Sequence, residues 1–272
     1  MPSTNTTPIK HLAACLEVTF LGSGSSGNAT LVRHGQDALL IDTGFSARET
    51  MRRLADSGTD PGTLRAILVT HEHSDHISGI RVLAAKLDIP VFATRGTIED
   101  APMGALSPNV EVMVPGEPVT IAGMEVLPFA VSHDAAEPVG FRITGQCGTS
   151  FGLVTDTGVM TPEALEALAQ CVLLGIECNH DAEMLRTGPY PWFLKERIAS
   201  SRGHLSNTAA LAAVEALASD KLRAVFGVHI SSKNNTHDLV AEELRTTLAR
   251  LGLDAQTAPV RQDRCSESAK GR

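Results

Sequence analysis

His71-Glu72-His73-Ser74-Asp75-His76 places four metal-ligating side chains within six consecutive residues. The apolar run Ala66-Ile67-Leu68-Val69 precedes them and reads as a buried strand, so the cluster falls where a strand ends and the chain turns. In an extended segment, residues two apart project to the same side. His71 and His73 are therefore expected to reach one metal together. Asp75 and His76 come as the chain turns into the helical stretch Ile77 to Leu87, and face a second point nearby. Imidazole and carboxylate donors suit zinc, manganese or iron.

Three further ligand-type residues stand at the ends of apolar strands. His133 follows Val126–Val131, Asp156 follows Phe151–Thr155, and His229 follows Ala224–Val228. One alone is an ordinary polar group at a sheet edge; three beside the cluster read as one site. The seven suffice for two divalent metal ions. His71, His73 and His133 would hold one, Asp75, His76 and His229 the other, with Asp156 bridging. Two ions about 3.5–4 Å apart share a hydroxide and clamp the attacking and leaving oxygens, and water on such a metal ionises near neutral pH. The chemistry expected is hydrolysis.

Elements of both kinds must position these residues. Strands are expected at Glu17–Leu21, Ala29–Arg33, Ala38–Asp42, Val91–Ala93, Val110–Val114, Met124–Val131, Val139–Thr144, Ser150–Thr155, Cys171–Glu177 and Arg223–Val228. Helices are expected at Ala47–Ala55, Trp192–Ala199, Thr208–Ala218 and His237–Leu251, with another opened by Thr161 as N-cap and Pro162 at its first position. Strands with helices in both halves indicate a layered α/β architecture, with the site beyond the strand ends.

His71-x-His73-x-Asp75-His76, His133, Asp156 and His229, in this order, resemble the metallo-β-lactamase fold hydrolase superfamily from about Leu16 to Val260. The resemblance implies an αβ/βα four-layer sandwich with the dimetal site at one edge of the two sheets. Asp42, in Leu40-Ile41-Asp42-Thr43-Gly44, matches an early Asp that orients the site without ligating. Narrower segments are Leu21-Gly22-Ser23-Gly24-Ser25-Ser26-Gly27-Asn28, Ser132-His133-Asp134-Ala135, Glu177-Cys178-Asn179-His180-Asp181, Gly188-Pro189-Tyr190-Pro191-Trp192, Gly203-His204-Leu205-Ser206-Asn207, and His229-Ile230-Ser231 followed by Asn234-Asn235-Thr236. Together these are similar to the YycJ/WalJ-like branch, associated with phosphodiester hydrolysis including exonuclease action on DNA. They are also similar to the cyclic phosphodiesterases of phosphonate metabolism and to tRNase Z.

The resemblance implies a phosphodiesterase or exonuclease acting on DNA or another nucleic acid through a dimetal-activated hydroxide. Zinc or manganese is the expected metal, with iron also accommodated. Asp75 and His204 are the candidate catalytic residues. His204 opens a helix, as general acid or as phosphate ligand, where backbone N–H groups also favour an anion. His180 either contacts substrate or holds the Asp181 loop. Asn235, with Lys233 and Asn234, either touches a phosphate or belongs to a polar loop. The alternatives are a glyoxalase-II-like thioester hydrolase and a cyclic-nucleotide phosphodiesterase; the Gly203–Asn207 and Asn179–Asp181 segments favour phosphodiesters. Diiron reductases of this fold usually carry Glu where this chain has His73. The interval from Asp156 to His204 is too short for an inserted domain of the RNase J kind, and no long Gly-rich arm is visible. Any grip on nucleic acid then falls to the chain's own loops, with Arg186, Trp192, Lys195, Arg197 and Arg202 as candidates.

The chain has 272 residues, 43% hydrophobic and only 4% aromatic, so the core is expected from Ala, Val, Leu and Ile. A net charge of −8 argues against a general nucleic-acid coat protein, though not against a local basic groove. The five cysteines are odd in number and none has CxxC spacing, which fits a reducing cytoplasm. No apolar stretch is long enough to span a membrane, and nothing in the sequence sets an oligomeric state. The organisation expected is an N-terminal lead over 1–15, one domain over 16–260 and a polar tail over 261–272. His11, His34 and His237 read as surface histidines.

Overall fold

Two sheets form because apolar residues recur along the strands at spacings that suit burial on both faces. The computed structural model describes residues 15–271, so most of the expected N-terminal lead, including His11, lies outside the described residues. The first sheet holds β1 (Leu16–Gly22), β2 (Ala29–His34), β3 (Asp37–Ile41), β4 (Leu64–Leu68), β5 (Val91–Thr94) and β6 (Val110–Met113). β1 to β3 pair antiparallel, and β3 to β6 pair parallel. The second sheet repeats the scheme. β7 (Val119–Ile121), β8 (Met124–Ala130), β9 (Val139–Thr144) and β10 (Ser150–Val154) are antiparallel; β11 (Leu173–Glu177), β12 (Ala224–Val228) and β13 (Gln256–Pro259) continue it in parallel.

Parallel neighbours need crossovers, and helices supply them. On the first sheet these are α1 (Ala47–Asp56), the short α2 (Ser74–Ile77), α3 (Ile80–Leu87) and α4 (Arg95–Asp100). On the second they are α5 (Pro162–Leu168), α6 (Ala182–Thr187), α7 (Trp192–Ala199), α8 (Asn207–Leu217) and α9 (His237–Arg250). Ser46, Thr161, Ser206 and Thr236 cap their helices by accepting N–H bonds through their side chains. One apolar core lies between the sheets, and two more lie under the helices on the outer faces. This is the expected αβ/βα four-layer sandwich.

The aromatic content is small but concentrated. Phe20, Phe141, Phe151 and Phe226 sit in the core between the sheets, with Phe20 centred 6.1 Å from Phe151 and 5.1 Å from Phe226. The inter-sheet core is therefore not built from aliphatics alone, because facing sheets leave a gap that large side chains fill.

Three local expectations change. The helix expected over Ile77 to Leu87 breaks at Gly79, where an added Cβ would lie 2.2 Å from the Phe45 carbonyl. His34 is buried rather than exposed, because it ends β2 inside the first sheet. The segment from Arg261, expected as a polar tail, runs back along β1. Ser266 N–H donates to the Phe20 carbonyl, and β14 (Ala269–Lys270) pairs antiparallel with Glu17 and Val18. The reason is that β1 would otherwise present an unpaired edge.

Phe20→Ala should lower unfolding stability by about 3–5 kcal/mol, because the aromatic contact between the sheets becomes a cavity. Urea unfolding of the two proteins checks this, and a loss below about 1 kcal/mol contradicts it.

Candidate metal centre

The strand ends place the ligand-type residues by a shared backbone device. Asp42 follows β3, Asp156 lies just past β10, and His229 follows β12; their φ angles are 58°, 51° and 52°. This left-handed region is costly for residues other than glycine and is typical of functional sites. Opposite them, β4 runs out into His71 and His73, and α2 carries Asp75 and His76. Close approach needs Gly44, where an added Cβ would lie 1.6 Å from the Asp75 carbonyl oxygen.

All seven residues singled out by the sequence converge. His71, His73 and His133 bring one ligand atom each within 4.8 Å of one another, and so do Asp75, His76 and His229. Asp156 lies between the sets, its Oδ2 3.2 Å from His76 Nε2 and its Oδ1 3.8 Å from His133 Nε2. The ring nitrogens facing outward are occupied. His76 Nδ1 donates to Asp42 at 2.8 Å, His133 Nδ1 to the Gly203 carbonyl at 3.0 Å and His229 Nδ1 to Glu177 at 2.9 Å. These bonds aim each Nε2 inward. Nε2 of His71, His133 and His229 is buried there with no hydrogen-bond partner. Buried nitrogens without partners are costly in a sheet protein and suit a cation. The residues present therefore fit a divalent metal.

Several supporting residues gave little sign in the sequence. Glu177 is fully buried at the end of β11. Its Oε1 accepts from His204 Nδ1 at 2.8 Å and from His229; its Oε2 accepts from the N–H of Thr157 at 2.9 Å and of Leu205 at 3.2 Å. A carboxylate ending an apolar strand is the pattern that singled out Asp156, and it applied to Glu177 too. Ser23 and Asn28, from the Gly/Ser loop, also belong here. Ser23 Oγ accepts from His229 N–H and donates to Asn28, whose amide nitrogen lies 3.1 Å from His76 Nε2. The Thr70 hydroxyl donates to Asp42, tying it to the cluster as the resemblance implied.

Charge is balanced inside the cluster. Burial disfavours the ionised form of Glu177, but His204 and His229 override it and hold the carboxyl down at about 2. Burial likewise opposes protonation of His229, yet Asp156, Asp75 and Glu177 raise its pKa to about 10. His71 moves the other way: burial and then the nearby His76 hold it neutral, the form a metal needs.

The remaining candidates separate. His204 stands beside the cluster with its side chain 22% exposed, in a cavity of about 160 Å³ with Ser25, Asn179, Tyr190, Arg197 and Ser231. His180 is buried one residue past Asn179 and lines a different cavity. Asn235 does not face the cleft. It is buried, its amide donates to Cys178 O and Asn207 Oδ1, and its oxygen accepts from Asn207 and Thr236. Its hydrogen-bonding capacity is spent on joining three segments, which corrects the expectation of a substrate contact. In the basic set, Arg197 pairs with Asp134 beside His133, Arg186 pairs with Glu183, and Arg202 donates to the His133 carbonyl.

Comparison with known proteins agrees with this geometry. The structure superposes on the metallo-β-lactamase fold protein YhfI from Bacillus subtilis with a TM-score of 0.70 at 18% identity, over 94% of this chain and 100% of that one. A family model for the beta-lactamase superfamily domain matches residues 38–230, and the chain belongs to that superfamily. The chain is 35% identical to Exodeoxyribonuclease YycJ of Bacillus anthracis over 87% of its own length and 90% of the relative's. It is also 35% identical to Exodeoxyribonuclease WalJ of Streptococcus pneumoniae, over 86% and 89%.

Glu177→Ala strands two imidazole and two backbone donors in the interior. In the presence of chelator it should cost about 3–5 kcal/mol in urea unfolding, and Glu177→Gln less. Equal stability of Glu177→Ala and the parent would contradict this role.

Proposed function

We propose that this chain is a divalent-metal-dependent phosphodiesterase that degrades DNA as an exonuclease. The observation that carries the reading is His204, a partly exposed imidazole held from behind by the buried Glu177 at the mouth of the ligand cluster. Burial alone would lower the pKa of His204, but the charge and hydrogen bond of Glu177, then Asp156, raise it. That shift favours the imidazolium, the form that can protonate a departing oxygen. Asp75 is partly exposed, with Oδ2 3.5 Å from His229 Nε2 and 3.6 Å from His76 Nε2. Burial opposes its ionisation, but His229 and His76 hold its carboxyl well below the usual range. As a carboxylate it would help hold an ion and orient the attacking water by accepting its hydrogen bond.

His71, His73 and His133 would hold one ion, and Asp75, His76 and His229 the other, with Asp156 between them. Zinc or manganese suits these donors best, and iron also fits. When bound, the ions supply Lewis-acid polarisation of a phosphoryl oxygen.

DNA as the substrate rests on the two exodeoxyribonuclease relatives, which match over nearly the whole chain. The thioester alternative is not favoured by them. No helix among the described residues is long and apolar enough to cross a membrane. Action in the cytoplasm is the reading favoured by the odd number of widely spaced cysteines.

The test is to strip the protein of metal, reload it with manganese or zinc and assay it on 5′-labelled DNA. Bis-p-nitrophenyl phosphate and S-lactoylglutathione serve as parallel substrates. Metal-dependent shortening of DNA is expected, with His204→Ala slower by about 10²–10⁴-fold. Turnover of the thioester with DNA left intact would sink the reading. A His204→Ala enzyme as fast as the parent would remove His204 from the chemistry.

A further inference from the structure

The chain holds eight Phe, one Trp and one Tyr, and three of these ten aromatics fall within the four residues Tyr190-Pro191-Trp192-Phe193. The fold does not bury them as a core. Trp192 is 71% exposed and Phe193 72% exposed, whereas Phe20, Phe45, Phe92, Phe129, Phe141, Phe151 and Phe226 are all buried. Exposed aromatics in a row are expensive in water unless something covers them.

Their position says what could cover them. Tyr190 lines the cleft that holds His204, and Trp192 opens α7 immediately beyond it. On the opposite face of α7 a cavity of about 220 Å³ is walled by Trp192, Leu185, Ala182, Ala199 and the buried His180. His180 itself is only 3% exposed, and its Nδ1 has no hydrogen-bond partner. The surrounding charge is positive in an otherwise acidic chain. From Arg186 to Arg202 there are four cations and one carboxylate, Glu196, against a net −8 overall; Arg186 and Arg197 are paired with Glu183 and Asp134, which leaves Lys195 and Arg202 to supply the charge. Lys195 donates to the Arg186 carbonyl and Arg202 to the His133 carbonyl, contacts that leave both charges unneutralised.

We propose that Tyr190, Trp192 and Phe193, with the His180 cavity behind Trp192, form a stacking platform for unpaired bases of the substrate strand. The inference rests on the phosphodiesterase reading and adds the form of the substrate. Flat exposed rings take the π-face of a base, which a paired and stacked base withholds, while flanking cations follow the backbone. A strand leaving the cleft passes over Tyr190 and round the start of α7. One base then reaches the cavity and packs against its largely apolar wall.

The chain's single tryptophan makes the test direct. The full-length, manganese-loaded protein is titrated with a short phosphorothioate-linked oligothymidylate while Trp192 emission is followed. Strong quenching is expected, with weak quenching by an abasic oligomer of equal length and by a blunt duplex. Equal quenching by the abasic oligomer would show attraction by charge alone and overturn the platform. In steady-state cleavage of single-stranded DNA, Trp192→Ala should raise KM about tenfold, and Trp192→Phe should restore it. An unchanged KM in Trp192→Ala also overturns the platform. If the loaded protein cleaves neither DNA nor bis-p-nitrophenyl phosphate, the phosphodiesterase reading fails by itself. The titration still decides whether bases stack.

Discussion

Glu177 has no contact with water, yet it receives hydrogen bonds from His204, His229, Thr157 and Leu205. A buried carboxylate is tolerable only when its lone pairs are met and opposite charge stands close. Here both conditions are supplied by functional groups. The same charge sets the direction of His229 toward the cluster and of His204 toward the cleft. It also pins the loop after β10, which carries Asp156, to the segment that opens α8. Asp42 does the corresponding work on the first sheet, holding His76 and Thr70. The two buried carboxylates are the anchors behind a cluster that would otherwise be a collection of mobile imidazoles.

Rigidity comes from the sandwich. Each parallel strand pair ends on the same side of its sheet, and facing sheets bring those ends together around one volume. The left-handed conformations at Asp42, Asp156 and His229 are a local cost borne by packed strands on either side. The two-sheet core is what lets three such residues persist near one another. The mouth of the site is built differently, from the loops and short helices between β11 and β12. There the apolar groups that fill the core elsewhere turn outward, as Trp192 and Phe193 do. This division fits a site whose floor must be invariant in geometry while its rim meets a long substrate.

Much of this was legible from spacing alone. The strand ends, the seven ligand-type residues, the helix opened by Thr161 and Pro162, and α7 from Trp192 to Ala199 followed from periodicity and residue chemistry. The short elements did not. α6, β7, β13 and β14 are too brief or too polar for a pattern to stand out; α6 starts on its Asp181 cap, and the three strands form because neighbouring strands leave edges to pair. The segment from Arg261 looked like a tail for the same reason: its polarity is real, but hydrogen bonding to β1 is invisible without the sheet.

Residue chemistry thus determined which groups this protein holds and what they can coordinate, because ligand type and alternation are local properties. Tertiary structure alone decided how they are supported. Asn235 resembled a phosphate contact, and its amide is spent on Asn207 and Cys178. Glu177 ends an apolar strand as Asp156 does, but only the fold shows that it orients two histidines from sites far apart in the chain. Both outcomes depend on which segments meet across the sheets. Hydrogen-bond satisfaction in a buried interior is settled only when those segments come together.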